Sequence, residues 1–176
     1  AEGSIDAADQ NAVVGRFLGE DRCLVALGRA HSLAETDSAA AVEALTGAIA
    51  EAQLLDGFAD GSQEVYRAFD SYGARVLYNV SRATQPVPLD GEEGAAGPVS
   101  DAAAVPDAAA DAGKRVRVVP DSFYLCHLEV THLLERSFER ADEALRYGRA
   151  AVAMGPSCAM GYRVLGRAYM LQGDMG

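Results

Sequence analysis

A short stretch of sequence recurs near the two ends of the chain, and this echo constrains the fold more than any single motif does. The heptapeptide LGRAHSL at residues 27–33 returns as LGRAYML at residues 165–171. Repetition at a distance is typical of repeat architectures, in which each unit buries its apolar side only against a neighbouring unit. The echo therefore predicts a fold in which similar structural units stack on one another.

Apolar side chains follow helical spacing through most of the chain. Alanine, the strongest helix former, dominates, and there is no Trp. Thr36, Asp37 and Ser38 carry short side-chain oxygens that can cap a helix N-terminus, so a helix is expected to begin there. We expect an all-α fold of about six to seven helices. The predicted helices span residues 8–18, 21–33, 38–55, 62–84, 121–137, 139–154 and 158–172.

The segment 85–120 differs in composition from the rest. Up to Gly113 it carries six acidic residues, no basic residue and many Ala, Gly and Pro, which predicts a flexible insertion. Within it, DAAADAG at 107–113 is an alternative short helix. KRVRVVP at 114–120 alternates and could be a strand, although an extended lead-in to the next helix is favoured. The expected organisation is N-terminal helical repeats at 1–84, the insertion at 85–120 and C-terminal repeats at 121–176.

The predicted helix at 62–84 carries the most aromatic face in the chain, for which core packing is the expected role. This helix has no obvious second helix to pair with. Either the insertion supplies the partner or this unit is irregular. The residues near that face are Val65, Tyr66, Phe69, Tyr72, Val76, Leu77 and Val80.

The net charge of −11 is unevenly distributed. Residues 1–113 carry 6 basic and 19 acidic side chains, whereas residues 114–176 carry 9 basic and 7 acidic ones. The acidic total argues against nucleic acid as a partner. No apolar run approaches the roughly 20 residues of a membrane-spanning helix, and residues 1–30 do not have the pattern expected of a signal peptide. We expect a cytoplasmic fragment of a larger protein, or an extracytoplasmic one if a leader preceded Ala1.

Catalytic and metal-binding chemistry finds little support in the sequence. The odd set Cys23, Cys126 and Cys158 lacks metal-type spacing, so buried reduced thiols are expected rather than a disulfide or a reactive thiol. His127 and His132 would lie about 140° apart around one helix, which disfavours a shared metal ion. Neither a nucleophile elbow nor a glycine-rich phosphate loop is found. We therefore expect no enzyme activity, no metal and no cofactor.

The segment ADEALRYGRAAVAMGPSCAMGYRVLGRAYMLQGD at 141–174 resembles the tetratricopeptide repeat, a helix-turn-helix unit of about 34 residues. Two small residues lie on a second helix, a proline follows in the turn, and an aromatic-Leu-Gly-aromatic pattern lies on the next first helix. The earlier echo matches less fully, since His31 replaces the aromatic residue. The matching positions are Leu27, Gly28, Ala144, Ala151, Pro156, Tyr162, Leu165, Gly166 and Tyr169.

The resemblance implies antiparallel helix pairs stacked as a short right-handed solenoid, with small residues at close helix contacts. It also implies a groove, lined by the first helix of each unit, that holds peptides. Guanidinium groups there would bond carboxylates through two parallel donors, and thioethers would adapt to apolar side chains. The alternative is that the arginines pair with local acids on a solvated face. The groove candidates are Arg29, Met160, Arg163, Arg167 and Met170.

The function expected from this resemblance is a non-catalytic scaffold module of a larger bacterial protein. Its ligand would be a protein or peptide, with an acidic side chain or a C-terminal carboxylate. One alternative is a regulatory or sensor domain of a multidomain transcription regulator. Another is the ligand-binding domain of an enzyme, which would need a deep enclosed pocket. Leu165, Ala168 and Leu171 would be exposed at the truncated last unit, so a homodimer through that end is also expected.

Overall fold

The computed structural model describes residues 21–83 and 108–173. Helices dominate this part of the chain, which confirms the all-α prediction. The predicted helix at 8–18 and most of the predicted insertion lie outside the described residues. The elements are α1 (Arg22–Leu33), α2 (Ser38–Asp56), β1 (Glu64–Arg67), α3 (Tyr72–Ala83), β2 (Arg115–Val118), α4 (Asp121–Leu134), α5 (Ala141–Met154) and α6 (Ala159–Gln172), with 3-10 turns at Ala108–Asp111 and Phe138–Arg140.

Side-chain caps define where the first two helices begin. The carboxylate of Asp21 accepts a hydrogen bond of 2.9 Å from the Leu24 amide, and that of Asp37 accepts one of 3.0 Å from the Ala40 amide. Each bond satisfies an N–H group that has no partner within its helix. The predicted helix start at 36–38 is confirmed. Gly57, with φ of 64°, ends α2 in the left-handed conformation that glycine adopts without strain.

Helix α4 lies at the centre of the helical body. It packs against α1 and α2 on one side and against α5 and α6 on the other, while α1 pairs with α2 and α5 pairs with α6. Thus α4 contacts both helices of the pair that precedes it, and α6 contacts both α4 and α5. The shared core contains Leu45, Ile49, Phe123, Leu134, Leu145 and Val152.

The prediction of one helix over residues 62–84 is wrong. Residues Glu64–Arg67 form strand β1, in which Val65 and Arg67 are buried in alternation with their neighbours. A new helix then begins at Tyr72, where the Ser71 hydroxyl accepts a hydrogen bond of 3.1 Å from the Ala74 amide. A Val-Tyr pair suits a strand as well as a helix. The short segment is ambiguous until a second strand lies beside it.

That second strand is β2. The favoured prediction for residues 114–120, an extended lead-in to the next helix, was wrong, and the alternative prediction of a strand is confirmed. The two strands pair in parallel with Glu64 opposite Arg115 and Arg67 opposite Val118. Main-chain hydrogen bonds continue the ladder at both ends. The Arg115 amide donates to the Gln63 carbonyl oxygen at 2.8 Å, and the Val119 amide donates to the Arg67 carbonyl oxygen at 3.0 Å. The alternative short helix at 107–113 is also found, as the 3-10 turn Ala108–Asp111.

The aromatic face predicted for the core is largely exposed on α3. Tyr72 is 84% exposed, and Val76, Leu77 and Val80 are exposed as well. Because the helix begins only at Tyr72, it turns Ala74 and Tyr78 inward instead. The predicted core face was wrong because strand β1 interrupts the predicted helix. The helix that follows the strand presents a different set of its side chains to the core.

Close helix contacts occur at different glycines from those predicted. A Cβ atom added at Gly28 or Gly166 would meet no atom within 4 Å, so the predicted close approach is not made there. At Gly148 the added atom would lie 3.3 Å from Cα of Leu165, and at Gly161 it would lie 3.2 Å from the Tyr124 hydroxyl. The glycines at the α5–α6 and α4–α6 contacts therefore allow the close packing.

Matched alanine substitutions test this assignment. Gly166→Ala should raise the free energy of unfolding by about 0.5–1 kcal/mol, because alanine has the higher helix propensity and space is available. Gly148→Ala should lower it by about 1 kcal/mol, because strain against the Leu165 backbone exceeds the gain in propensity. Urea unfolding of both variants measures the difference. Equal stabilisation by the two substitutions would contradict the assigned contact.

The apolar end predicted for the last unit is mostly covered. Leu165 and Ala168 are buried, and Leu165 lies against Gly148 of α5. The prediction that these two side chains are exposed is therefore wrong, because α4 and α5 already cover that side of α6. The burial of Leu165 and Ala168 removes the reason for expecting a homodimer through this end, and the homodimer remains an untested prediction.

Candidate functional site

A cleft of about 490 Å³ lies between α1 and α2. Its floor on α2 consists of residues without bulky side chains at helical spacing, which place a shallow channel along the helix pair. The wall on α1 carries Arg22, Val25, Ala26 and Arg29. On α2, Ala40, Ala44, Gly47 and Ala48 form the floor, and Glu43 and Glu51 form the opposite wall.

The charges of this cleft are only partly paired. The Arg22 guanidinium bonds the Glu51 carboxylate at 2.8 Å. Within residues 21–83 and 108–173, neither Arg29 nor Glu43 makes an ion pair. Val25 leaves 58% of its surface exposed beside them. The cleft thus offers apolar surface, a free guanidinium on one wall and a free carboxylate on the other.

The other predicted groove residues lie on α6. Arg167 lies 3.6 Å from the carboxylate of Glu135, so it follows the alternative in which an arginine pairs with a local acid. Arg163 is exposed and makes no ion pair with the part of the chain that the structure describes. Met160 and Met170 are exposed on the same helix. Arg29 lines the α1–α2 cleft, whereas none of the four candidates on α6 lines it, so the five candidates divide between two surfaces.

The remaining residues of the repeat pattern take varied positions. Ala144 and Ala151 are fully buried, and Leu27 packs at the edge of the core. The Tyr162 hydroxyl donates a hydrogen bond of 2.9 Å to the carbonyl of Pro156, across the turn between α5 and α6. Tyr169 accepts hydrogen bonds from Arg149 at 3.2 and 3.3 Å.

A buried polar network was missed by the sequence analysis. Arg67 bonds both carboxylate oxygens of Asp111, at 2.7 and 2.8 Å, and also bonds Asp60 at 2.7 Å. The Tyr78 hydroxyl donates a hydrogen bond of 2.5 Å to Asp111. Burial and the bond to Asp111 raise the pKa of Tyr78 and keep it protonated. The alternation of Val65 and Arg67 was the available signal, but nothing local in the sequence connects Arg67 to Asp111.

A cavity of about 180 Å³ adjoins this network. His127 lines it from α4, where Nδ1 lies 2.9 Å from the Phe123 carbonyl oxygen. Burial lowers the pKa of His127 to about 4, so the ring is neutral at pH 7 and Nδ1 carries the donated proton. Polar groups converge here, but the volume is below the roughly 300 Å³ at which small-molecule pockets begin. The lining also includes Gln53, Asp60, Tyr66, Arg67 and Met154.

Metal and membrane chemistry is not evident in the described ranges. No group of three or more His, Cys, Asp or Glu side chains there is placed to hold a metal ion. Among the same residues no helix has the length and apolar character needed to span a bilayer. Cys23, Cys126 and Cys158 are buried and form no disulfide among the described residues, which confirms the prediction of buried free thiols, whereas their reactivity is not tested.

No protein-family model, no curated protein and no solved structure matches this chain. The resemblance to the tetratricopeptide repeat therefore depends on the sequence pattern of residues 141–174.

Proposed function

We propose that this chain is a non-catalytic, tetratricopeptide-like scaffold module that binds an acidic peptide segment of a partner protein. The single observation that carries the proposal is the open α1–α2 cleft, in which exposed apolar surface lies beside the unpaired guanidinium of Arg29. A cleft of this shape accommodates a chain segment, whereas the cavity beside His127 is too small for a typical enzyme ligand.

The order of helix packing supports the scaffold part of the proposal. Both α4 and α6 contact the two helices that precede them in the stack, which is the nearest-neighbour relation of helical repeats. The proposal includes the right-handed solenoid and a place in a larger bacterial protein. A segment bound on this stack would meet a surface preformed by helix packing, so little ordering of the scaffold would accompany binding.

The two walls of the cleft define the chemistry of the ligand. An apolar ligand side chain would cover Val25 and the alanine floor, and a carboxylate would accept two parallel hydrogen bonds from Arg29. Glu43 on the opposite wall repels the same carboxylate and so directs it towards α1. The expected ligand is an acidic peptide with neighbouring apolar residues.

Fluorescence anisotropy with a labelled acidic, apolar peptide tests the proposal. Arg29→Ala should weaken binding about tenfold or more, since hydrogen bonds to charged groups contribute roughly 1.5–3 kcal/mol. Ala44→Leu, which narrows the channel without removing a charge, should weaken it as well. Arg75→Ala is the matched control, because Arg75 is an exposed arginine on α3 outside the cleft.

A second pair of measurements separates the two surfaces. The double variant Arg163→Ala/Arg167→Ala should bind the peptide as the wild type does if the cleft is the site. A version of the peptide with glutamine in place of glutamate should bind weakly to every variant. If Arg29→Ala and Ala44→Leu both bind the acidic peptide with wild-type affinity, the proposed cleft is wrong.

A further inference from the structure

Two of the three cysteines meet across the interface between α1 and α4. The Cys126 thiol lies 3.5 Å from the backbone carbonyl oxygen of Cys23, although the residues are 103 positions apart in sequence. The third thiol, Cys158, contacts the Ala68 carbonyl oxygen instead. The fold thus brings together one dithiol pair and keeps one cysteine separate, on the other side of α4.

The pair is asymmetric. The neighbouring Cys126 side chain lowers the pKa of Cys23 against the opposing effect of burial, whereas the Cys23 side chain and burial together raise the pKa of Cys126. Arg22 also favours the Cys23 thiolate, whereas the charges of Asp21 and Asp56 oppose it. Cys23 is therefore the sulfur that loses its proton more readily, and the thiolate is the reactive form of cysteine.

A small reagent has a route to this sulfur. Cys23 lines a cavity of about 230 Å³ that lies between the start of α1, the end of α2 and the start of α4. Cys126 does not line that cavity and is completely buried. A molecule the size of hydrogen peroxide that entered would meet Cys23 first.

We propose that Cys23 and Cys126 form a peroxide-oxidisable pair whose disulfide joins α1 to α4. The Cys23 thiolate attacks one oxygen of hydrogen peroxide, the O–O bond breaks, and hydroxide leaves with the electron pair to give a sulfenic acid. The Cys126 sulfur then attacks the Cys23 sulfur, the S–O bond breaks, and the Cys126 proton leaves with the hydroxyl group as water. Two thiols and one peroxide give one disulfide and two waters, and peroxide is the only oxidant needed.

The consequence of oxidation is a covalent link between the first helix pair and the helix at the centre of the stack. Helix α1 carries one wall of the α1–α2 cleft. The disulfide closes a long loop between residues 23 and 126 and therefore restrains the unfolded chain. Oxidation should raise the urea midpoint of unfolding.

The test treats the full chain with hydrogen peroxide, followed by alkylation in denaturant and intact-mass analysis under non-reducing conditions. The wild type should lose two alkylatable thiols, and digestion should yield a linked peptide that contains Cys23 and Cys126. Cys158→Ser should behave in the same way. Cys23→Ser and Cys126→Ser should form no intramolecular disulfide, and the midpoint rise should disappear in both variants.

Unfolded protein in urea serves as the reference, because preorganised thiols should pair faster in the native chain. Native protein that keeps three alkylatable thiols after treatment contradicts the proposal. A disulfide that includes Cys158, or a link between two chains, also contradicts it. Equal rates of pairing in folded and unfolded protein would show that the fold contributes nothing to the reaction, and this result likewise overturns the proposal.

Discussion

Replacing Arg67 by Met should lower the free energy of unfolding by about 3–5 kcal/mol, because it leaves a buried carboxylate without its cation. Arg67 and Asp111 are almost fully buried, with side-chain exposures of 3% and 4%, and they share two hydrogen bonds. Water cannot replace the lost partner at that depth. The loss is large beside the 5–15 kcal/mol that typically stabilises a domain, so urea unfolding should show it clearly.

A second substitution distinguishes charge burial from simple loss of packing. Arg67→Met combined with Asp111→Leu removes both charges, so this double variant should be more stable than Arg67→Met alone. Arg117→Met on the neighbouring strand is the matched control. Its partner Glu64 lies at 3.2 Å on the surface, and loss of such a pair costs about 0–1 kcal/mol. Equal losses for Arg67→Met and Arg117→Met would refute the assigned role of the buried pair.

The network lies across the two segments that flank residues 84–107. Asp60 and Arg67 precede that stretch, and Asp111 follows it. Arg82 adds hydrogen bonds to the carbonyl oxygens of Asp111 and Lys114. The ion pairs and hydrogen bonds therefore join β1 and α3 to the segment that leads into β2.

Acidification should destabilise the fold through His127. Burial lowers its pKa from 6.5 to about 4 in the folded chain, so below pH 6.5 the unfolded chain binds a proton that the folded chain does not. The stability contributed by the neutral ring is complete above pH 6.5 and is lost as the pH falls towards 4. The loss at pH 4 amounts to about 3 kcal/mol.

The His127→Phe variant separates this effect from other titrations. It should have a shallower fall in stability between pH 6.5 and 4, measured by urea unfolding across that range. Thr131→Val is the matched control, because Thr131 is buried one turn further along α4 and does not titrate. A parallel fall in His127→Phe and in the wild type would show that the buried imidazole does not determine the acid response.

The sequence predicted some residues of the candidate site but not the cleft that they line. Arg29 was named as a groove residue, and Arg163 and Arg167 were named with it. Helical spacing alone gives each a surface position, but it does not show which helix lies opposite. The cleft exists because α2 places Ala44 and Gly47 beside α1, and that pairing is a property of the packed helices.

Sequence patterns over a few neighbouring residues were sufficient to predict elements that are held together by hydrogen bonds between neighbouring residues. The capping residues and the apolar spacing of α1, α2, α4, α5 and α6 predict these helices closely, since helical hydrogen bonds join residues four positions apart. The same signals failed at 62–84, where β1 requires β2 from a distant part of the chain.

What the sequence determined by itself is therefore the helical class, the starts of the helices other than α3, and the supply of small, charged and sulfur-containing side chains. The tertiary structure decided their partners: Arg67 with Asp111, Cys126 with Cys23, and Gly148 rather than Gly166 at the close contact. The physical reason is that these contacts join residues far apart along the chain or on separate helices. Their geometry exists only once the helices and strands have packed.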